Sequence, residues 1–109
     1  MRYAAKVDKN QPEIVAALRE YGCDVQPLHA VGGGVPDLLW HFENVYGLIE
    51  VKCLDGKSQN KYRDERCLTQ RQKEWHTNWR GHIDIVWDSN EAILAVSNRI
   101  SGKTIGKEK

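Results

Sequence analysis

Apolar positions change their spacing along this chain, and each spacing predicts a different element. Ile14, Ala17, Leu18 and Tyr21 recur three or one residues apart, which lays one apolar stripe along a helix. Asn10 is a candidate N-cap with Glu13 three residues later, Pro12 suits a first helical turn, and Gly22 is a natural stop. Asp24 to Val31 alternates loosely, as a strand, and Gly32-Gly33-Gly34 then turns the chain. Val35 to Phe42 and Val45 to Cys53 are rich in strand formers, and the polar Glu43-Asn44 between them has the length of a two-residue hairpin, which predicts antiparallel neighbours. The polar stretch from Leu54 to Arg66 reads as a mobile loop. Thr69 can cap a second helix, on which Leu68, Gln72, Trp75 and Trp79 share a face and which Gly81 ends. His82 to Trp87 alternates as a strand, Ser89 or Asn90 opens a short last helix through Ala92, Leu94 and Ala95, and Ser101 to Lys109 is expected as a frayed basic tail. The order α-β-β-β-α-β-α predicts an α/β fold of mixed α+β type, a mixed sheet flanked by helices.

Length and composition narrow this picture. A chain of 109 residues is one domain's worth, with residues 10–100 as its expected core. No apolar stretch approaches the ~20 residues of a membrane span, and residues 1–9 lack the apolar centre of a signal peptide, so no membrane partner is expected. Cys23, Cys53 and Cys67 are odd in number and have no CxxC pairing, which points to a reducing, intracellular setting and to neither a disulfide framework nor a zinc knuckle. A net charge of +1 conceals a local excess, because residues 50–80 hold eight Lys or Arg against five Asp or Glu. Lys57, Lys61, Arg63, Arg66, Arg71 and Lys73 lie in that stretch, where either a solvated surface or a nucleic-acid backbone would use them.

The chemistry lies in two of the strands. Pro36-Asp37 opens one apolar run, and Ile49-Glu50-Val51-Lys52 lies in the next. Strand alternation puts Glu50 and Lys52 on one face, with the Val51 carbonyl between them. One reading makes Asp37 a turn residue and Glu50–Lys52 an exposed ion pair of little energetic value. The other makes Asp37, Glu50 and the Val51 carbonyl oxygen ligands for Mg²⁺ or Mn²⁺, with Lys52 beside an attacking water. Charges set in apolar strands favour the second, since burying them costs free energy unless they are paired or metal-bound. Gln72, an amide on a tryptophan-bearing face, must find partners inside the fold and so brace its surroundings.

Gly34-Val35-Pro36-Asp37 followed by Glu50-Val51-Lys52 resembles the bipartite motif of the PD-(D/E)XK nucleases, and the element order is similar to their restriction-endonuclease-like αβββαβ core. With Leu68-Thr69-Gln70-Arg71-Gln72 downstream, the match is nearest to the VRR-NUC domains in their stand-alone virus or phage form, and it covers approximately residues 10–90. The resemblance implies that Asp37 and Glu50 bind the metal, that Lys52 orients the water, that Gln72 approaches the catalytic strands, and that Glu13 completes the acidic cluster. Glu13 has a second reading as the N3 acid of a capping box. The implied activity is a Mg²⁺-dependent, structure-selective deoxyribonuclease that cleaves four-way (Holliday) junctions as a homodimer, in the cytoplasm, including that of a virus-infected host cell. A monomeric flap or single-strand-end nuclease and a catalytically idle DNA-binding module are the alternatives.

Other motifs carry less. Ser101-Gly102-Lys103-Thr104 ends like a P-loop but has Ser97 where the first glycine belongs, so no nucleotide cofactor is expected. His29, His41, His76 and His82 lack zinc-ligand spacing and read as ordinary surface or core. Trp40, Trp75, Trp79 and Trp87 are expected in the core and not as base-stacking platforms.

Overall fold

The computed structural model describes residues 8–54 and 58–106. It is a mixed α+β fold in which α1 (Gln11–Tyr21), β1 (Asp24–Pro27), β2 (Leu38–Phe42), β3 (Val45–Val51), α2 (Gln70–Asn78), β4 (Ile83–Val86) and α3 (Ser89–Gly106) follow in chain order. The sheet runs β1-β2-β3-β4, antiparallel through β1, β2 and β3 and parallel between β3 and β4. The β2–β3 hairpin turns on Glu43 and Asn44, both at positive φ (50° and 65°), the conformation that matches a two-residue connection to the twist of its strands.

One sheet face carries the core. Leu38 and Trp40 of β2, Ile49 and Val51 of β3 and Val86 of β4 pack against Ile14, Val15 and Leu18 of α1 and Ala92, Ala95 and Val96 of α3. Gly22 ends α1 in the left-handed region (φ 119°), and the backbone N–H groups of Gly22 and Cys23 return to the carbonyls of Arg19 and Leu18. Asn10 does not cap the helix with its side chain. Its Nδ2 instead donates to the carbonyls of Lys52 and Trp87, each at 3.0 Å, and so ties the start of α1 to the ends of β3 and β4. The expected capping box with Glu13 is therefore absent.

Several boundaries differ from expectation. The strand predicted to reach Val31 stops at Pro27: the Leu28 N–H still makes the next rung to the Asp37 carbonyl at 2.7 Å, but the Leu28 carbonyl then accepts the Val31 N–H at 2.9 Å, a turn that takes the chain off the sheet edge. Residues 32, 33 and 34 follow as glycines at φ 71°, 70° and 88°. The stretch after Leu54 is not featureless, since one-turn 3-10 helices form at Ser58–Lys61 and Glu65–Cys67 and Arg66 lies over the Tyr62 ring at 4.2 Å. α3 runs on to Gly106 where a frayed tail from Ser101 was expected, carried by Ala92, Val96 and Ile100 at a repeat of four on its inner side. Residues 107–109 of that predicted tail lie outside the described residues. Among the described residues, no helix is long and apolar enough to cross a membrane.

Candidate metal-dependent active site

The register that pairs Leu38 with Ile49 carries Asp37 one step further, opposite Glu50. Asp37 precedes β2 and Glu50 lies in β3, so two carboxylates meet at one end of the sheet on the face away from α1 and α3. Both are buried, Asp37 at 9% and Glu50 at 1% exposure. Asp37 Oδ2 accepts the Val51 N–H at 2.7 Å. In an extended strand the N–H and C=O of one residue point to the same side, which puts the Val51 carbonyl on the Asp37 side of β3. The next residue points the other way, its N–H donating to the Val86 carbonyl at 2.9 Å.

α2 closes this end of the face. Thr69 and Gln72 form a reciprocal capping box, with Thr69 Oγ1 accepting the Gln72 N–H and Gln72 Oε1 accepting the Thr69 N–H at 2.8 Å. The same Oε1 accepts from Lys52 Nζ at 3.1 Å, and Gln72 Nε2 donates to Glu50 Oε2 at 3.2 Å. One amide thus holds the lysine and a carboxylate apart at fixed positions. The helix is held close by Gly34, where an added Cβ would fall 2.4 Å from the Arg71 carbonyl oxygen. The Gly-rich loop before Asp37 and the first turn of α2 are therefore in backbone contact.

Burial dominates the electrostatics. Desolvation, reinforced by the neighbouring Glu50 carboxylate, pushes the Asp37 carboxyl up to about 8, against the opposing Val51 N–H and Lys52. Desolvation likewise pushes Glu50 up to about 7, although its hydrogen bond with Asp37 and the Lys52 charge pull it back. The pair keeps a proton between its two carboxyls when nothing else neutralises them.

His76, expected to be an ordinary histidine, is part of this network. Its Nε2 lies 3.3 Å from Glu50 Oε1, and desolvation followed by the Lys52 charge lowers its pKa, so a neutral ring with the proton on Nε2 donates to Glu50. The available signal was its spacing of four from Gln72, which puts both side chains on the Glu50 side of α2. Comparison with family models, with curated proteins and with solved structures yields no significant match.

Asp37, Glu50, Lys52 and Gln72 are thus brought together as a constellation, and Glu13 is not. Glu13 is exposed, because Gln11, Ile14, Val15 and Leu18 take the inward stripe of α1, and no contact among the described residues joins it to the site. Near the start of α1 the acid that acts on Glu50 is Asp8, whose charge raises its pKa. The residues present fit a hard divalent cation: two buried carboxylates and a backbone carbonyl are oxygen donors, and a cation there would take the place of the shared proton. Among the described residues no three His, Cys, Asp or Glu side chains converge into a ready-made cage, so water would complete the coordination.

The basic residues divide. Arg63 pairs with Glu91 and stacks on Trp87, and Arg66 pairs with Asp64, which leaves their charge matched within the chain. Lys61, Arg71 and Lys73 are exposed, and Lys57 lies outside the described residues. Trp40 is in the core as expected, whereas Trp79 is 46% exposed and stacks on a half-buried Trp75 with ring centroids 4.9 Å apart.

Proposed function

We propose that the chain is a metal-dependent, structure-selective DNA endonuclease of the VRR-NUC type within the PD-(D/E)XK nucleases, cleaving four-way junctions as a homodimer. The observation that carries this reading is the chain of contacts from Asp37 and Glu50 through the Gln72 amide to Lys52, on one buried end of a sheet face. A divalent cation bound by Asp37, Glu50 and the Val51 carbonyl would supply positive charge at the phosphate and ease ionisation of water. Lys52 Nζ, fixed by Gln72, orients the water whose oxygen bonds to phosphorus as the ester oxygen leaves. Glu50, gripped through both oxygens by Gln72 and His76, keeps its place during that step. A two-fold dimer would set two such sites against two symmetric strands.

The test is a panel of four-way junction, flap, splayed, duplex and single-stranded DNA, incubated with Mg²⁺, Mn²⁺ or chelator. Cation-dependent cleavage of the junction is expected from the wild type. Lys52→Ala should lower cleavage at least ~1,000-fold, the upper part of the range for one positioned polar group, while junction affinity stays within about threefold. Full activity in that variant, or a sedimenting monomer that still cuts the junction symmetrically, would overturn the assignment.

A further inference from the structure

The face that holds Asp37 and Glu50 continues into a cleft of about 420 Å³. Its floor is the cross-strand pair Leu39–Leu48, two residues further along β2 and β3 than the carboxylates and therefore ~7 Å from them. Its wall is α2 and its end: the helix that sends Gln72 and His76 to Glu50 carries Trp75 on its cleft side, stacked on Trp79 just past its last residue. Trp79 is exposed yet held in place. Trp75 lies against it at an interplanar angle of 23°, and Gly81 fits so closely that an added Cβ would meet the indole nitrogen at 2.6 Å. An immobilised aromatic platform with an open side is built for a planar partner.

We infer that this cleft is a nucleobase subsite, which takes one unpaired base from the nucleotide beside the scissile phosphate. The inference rests on the nuclease reading and deepens it by naming what the site selects. Three observations converge on a base as the occupant. The floor of the cleft lies on the same sheet face as the carboxylate pair, two residues away and so at the span of a single nucleotide. Its wall is an aromatic ring pair that can stack on any base, which suits a site that prefers structure over sequence. Arg71, one turn before Trp75, and Arg80, next to Trp79, are exposed on the flanking helix and turn, where they would meet the phosphates that accompany such a base. A base inside a duplex is already stacked and paired, so the subsite favours DNA that is open at the cleavage point.

The experiment reads binding without cleavage. Junction, single-stranded and duplex DNA carrying 2-aminopurine at single positions around the mapped cut are titrated with protein in Ca²⁺ buffer. The wild type should quench the probe strongly at one position flanking the cut. Trp79→Ala should abolish that quench and weaken binding to junction and single-stranded DNA roughly tenfold, within the range for one lost base–aromatic stack, while duplex affinity is unchanged. Trp79→Phe, which keeps an aromatic ring if Trp79→Ala folds poorly, should restore the quench. Equal affinity loss for every DNA, or no probe position that responds to Trp79, would overturn the subsite. So would sedimentation showing that Trp79→Ala converts a dimer to a monomer, which would make the cleft a contact between copies. Absence of cleavage by the wild type in Mg²⁺ or Mn²⁺ would overturn the nuclease reading and is scored separately, since the quench is measured without turnover.

Discussion

Glu50 has almost no freedom of its own. Gln72 and His76 take its two oxygens, Asp37 faces it across the strand pair, and its backbone lies between two neighbouring strands. Asp37 is the costlier partner, since desolvation and the Glu50 charge both oppose its ionisation. Asp37→Asn retains an acceptor for the Val51 N–H and a donor toward Glu50 but removes one buried acid. The variant should lose cleavage and yet resist denaturant better than the wild type at pH 8 without divalent cation. A chemical denaturation series at that pH checks this, and a less stable Asp37→Asn would mean that the acid is not strained there. The site is in that sense held together against its own charge, a cost tolerated where function requires it.

Among the elements, α2 illustrates how little hydrophobic burial a positioning helix needs. None of its residues is buried, and its place is set by the Thr69–Gln72 capping box and by backbone contact with Gly34. Thr69→Ala should cost about 1 kcal/mol of stability, the usual loss at an N-cap, and should reduce kcat more than DNA affinity, because the Gln72 N–H loses its acceptor and the first turn that carries the Gln72 amide loosens. Gly34→Ala should cost more, roughly 2–3 kcal/mol, from a strained left-handed φ together with the close carbonyl, and a urea midpoint measures it. The Thr69 cap and the β2–β3 hairpin were legible in the sequence because both depend on local chemistry: an oxygen at the right offset and two residues tolerant of positive φ. So were Asp37, Glu50 and Lys52, whose charges interrupt apolar strands. Asn10 misled because its side chain serves distant carbonyls instead of its own helix, a choice set by tertiary packing. His76 is not legible from zinc spacing, which relates histidines only to one another, because its partner is Glu50, 26 residues away in the chain. The length of α3 was missed for a simpler reason: Val96 and Ile100 extend the stripe of Ala92 through a segment whose Ser, Gly and Lys composition suggested fraying.

At the scale of the whole molecule, the carboxylate pair couples proton uptake to folding. Asp37 and Glu50 both titrate higher in the folded chain than the usual 3.8 and 4.5, so their contribution favours folding fully below pH ~4 and is lost as pH rises through about 7 and about 8. Cation-free protein should therefore lose thermal stability between pH 5 and 8. A divalent cation that binds the folded state should restore it, by about 2.7 kcal/mol at a hundred times its dissociation constant. The restoration should grow with pH, since protons and cation compete for the same oxygens. Thermal melts at pH 5, 6.5 and 8 with and without Mn²⁺ check both slopes, and a cation effect that shrinks as pH rises would locate the ion elsewhere.

The imidazole on Glu50 also offers a means of observation. Carbon-bound protons of a histidine ring resonate outside the crowded parts of an NMR spectrum, and the chain has only four such rings. His76 is the one that touches Glu50, so a paramagnetic Mn²⁺ ion settling between the carboxylates would broaden its signal first, and a diamagnetic Mg²⁺ ion would shift it. Occupancy could then be followed in real time, in the absence of any nucleic acid, from a reporter that the fold already carries.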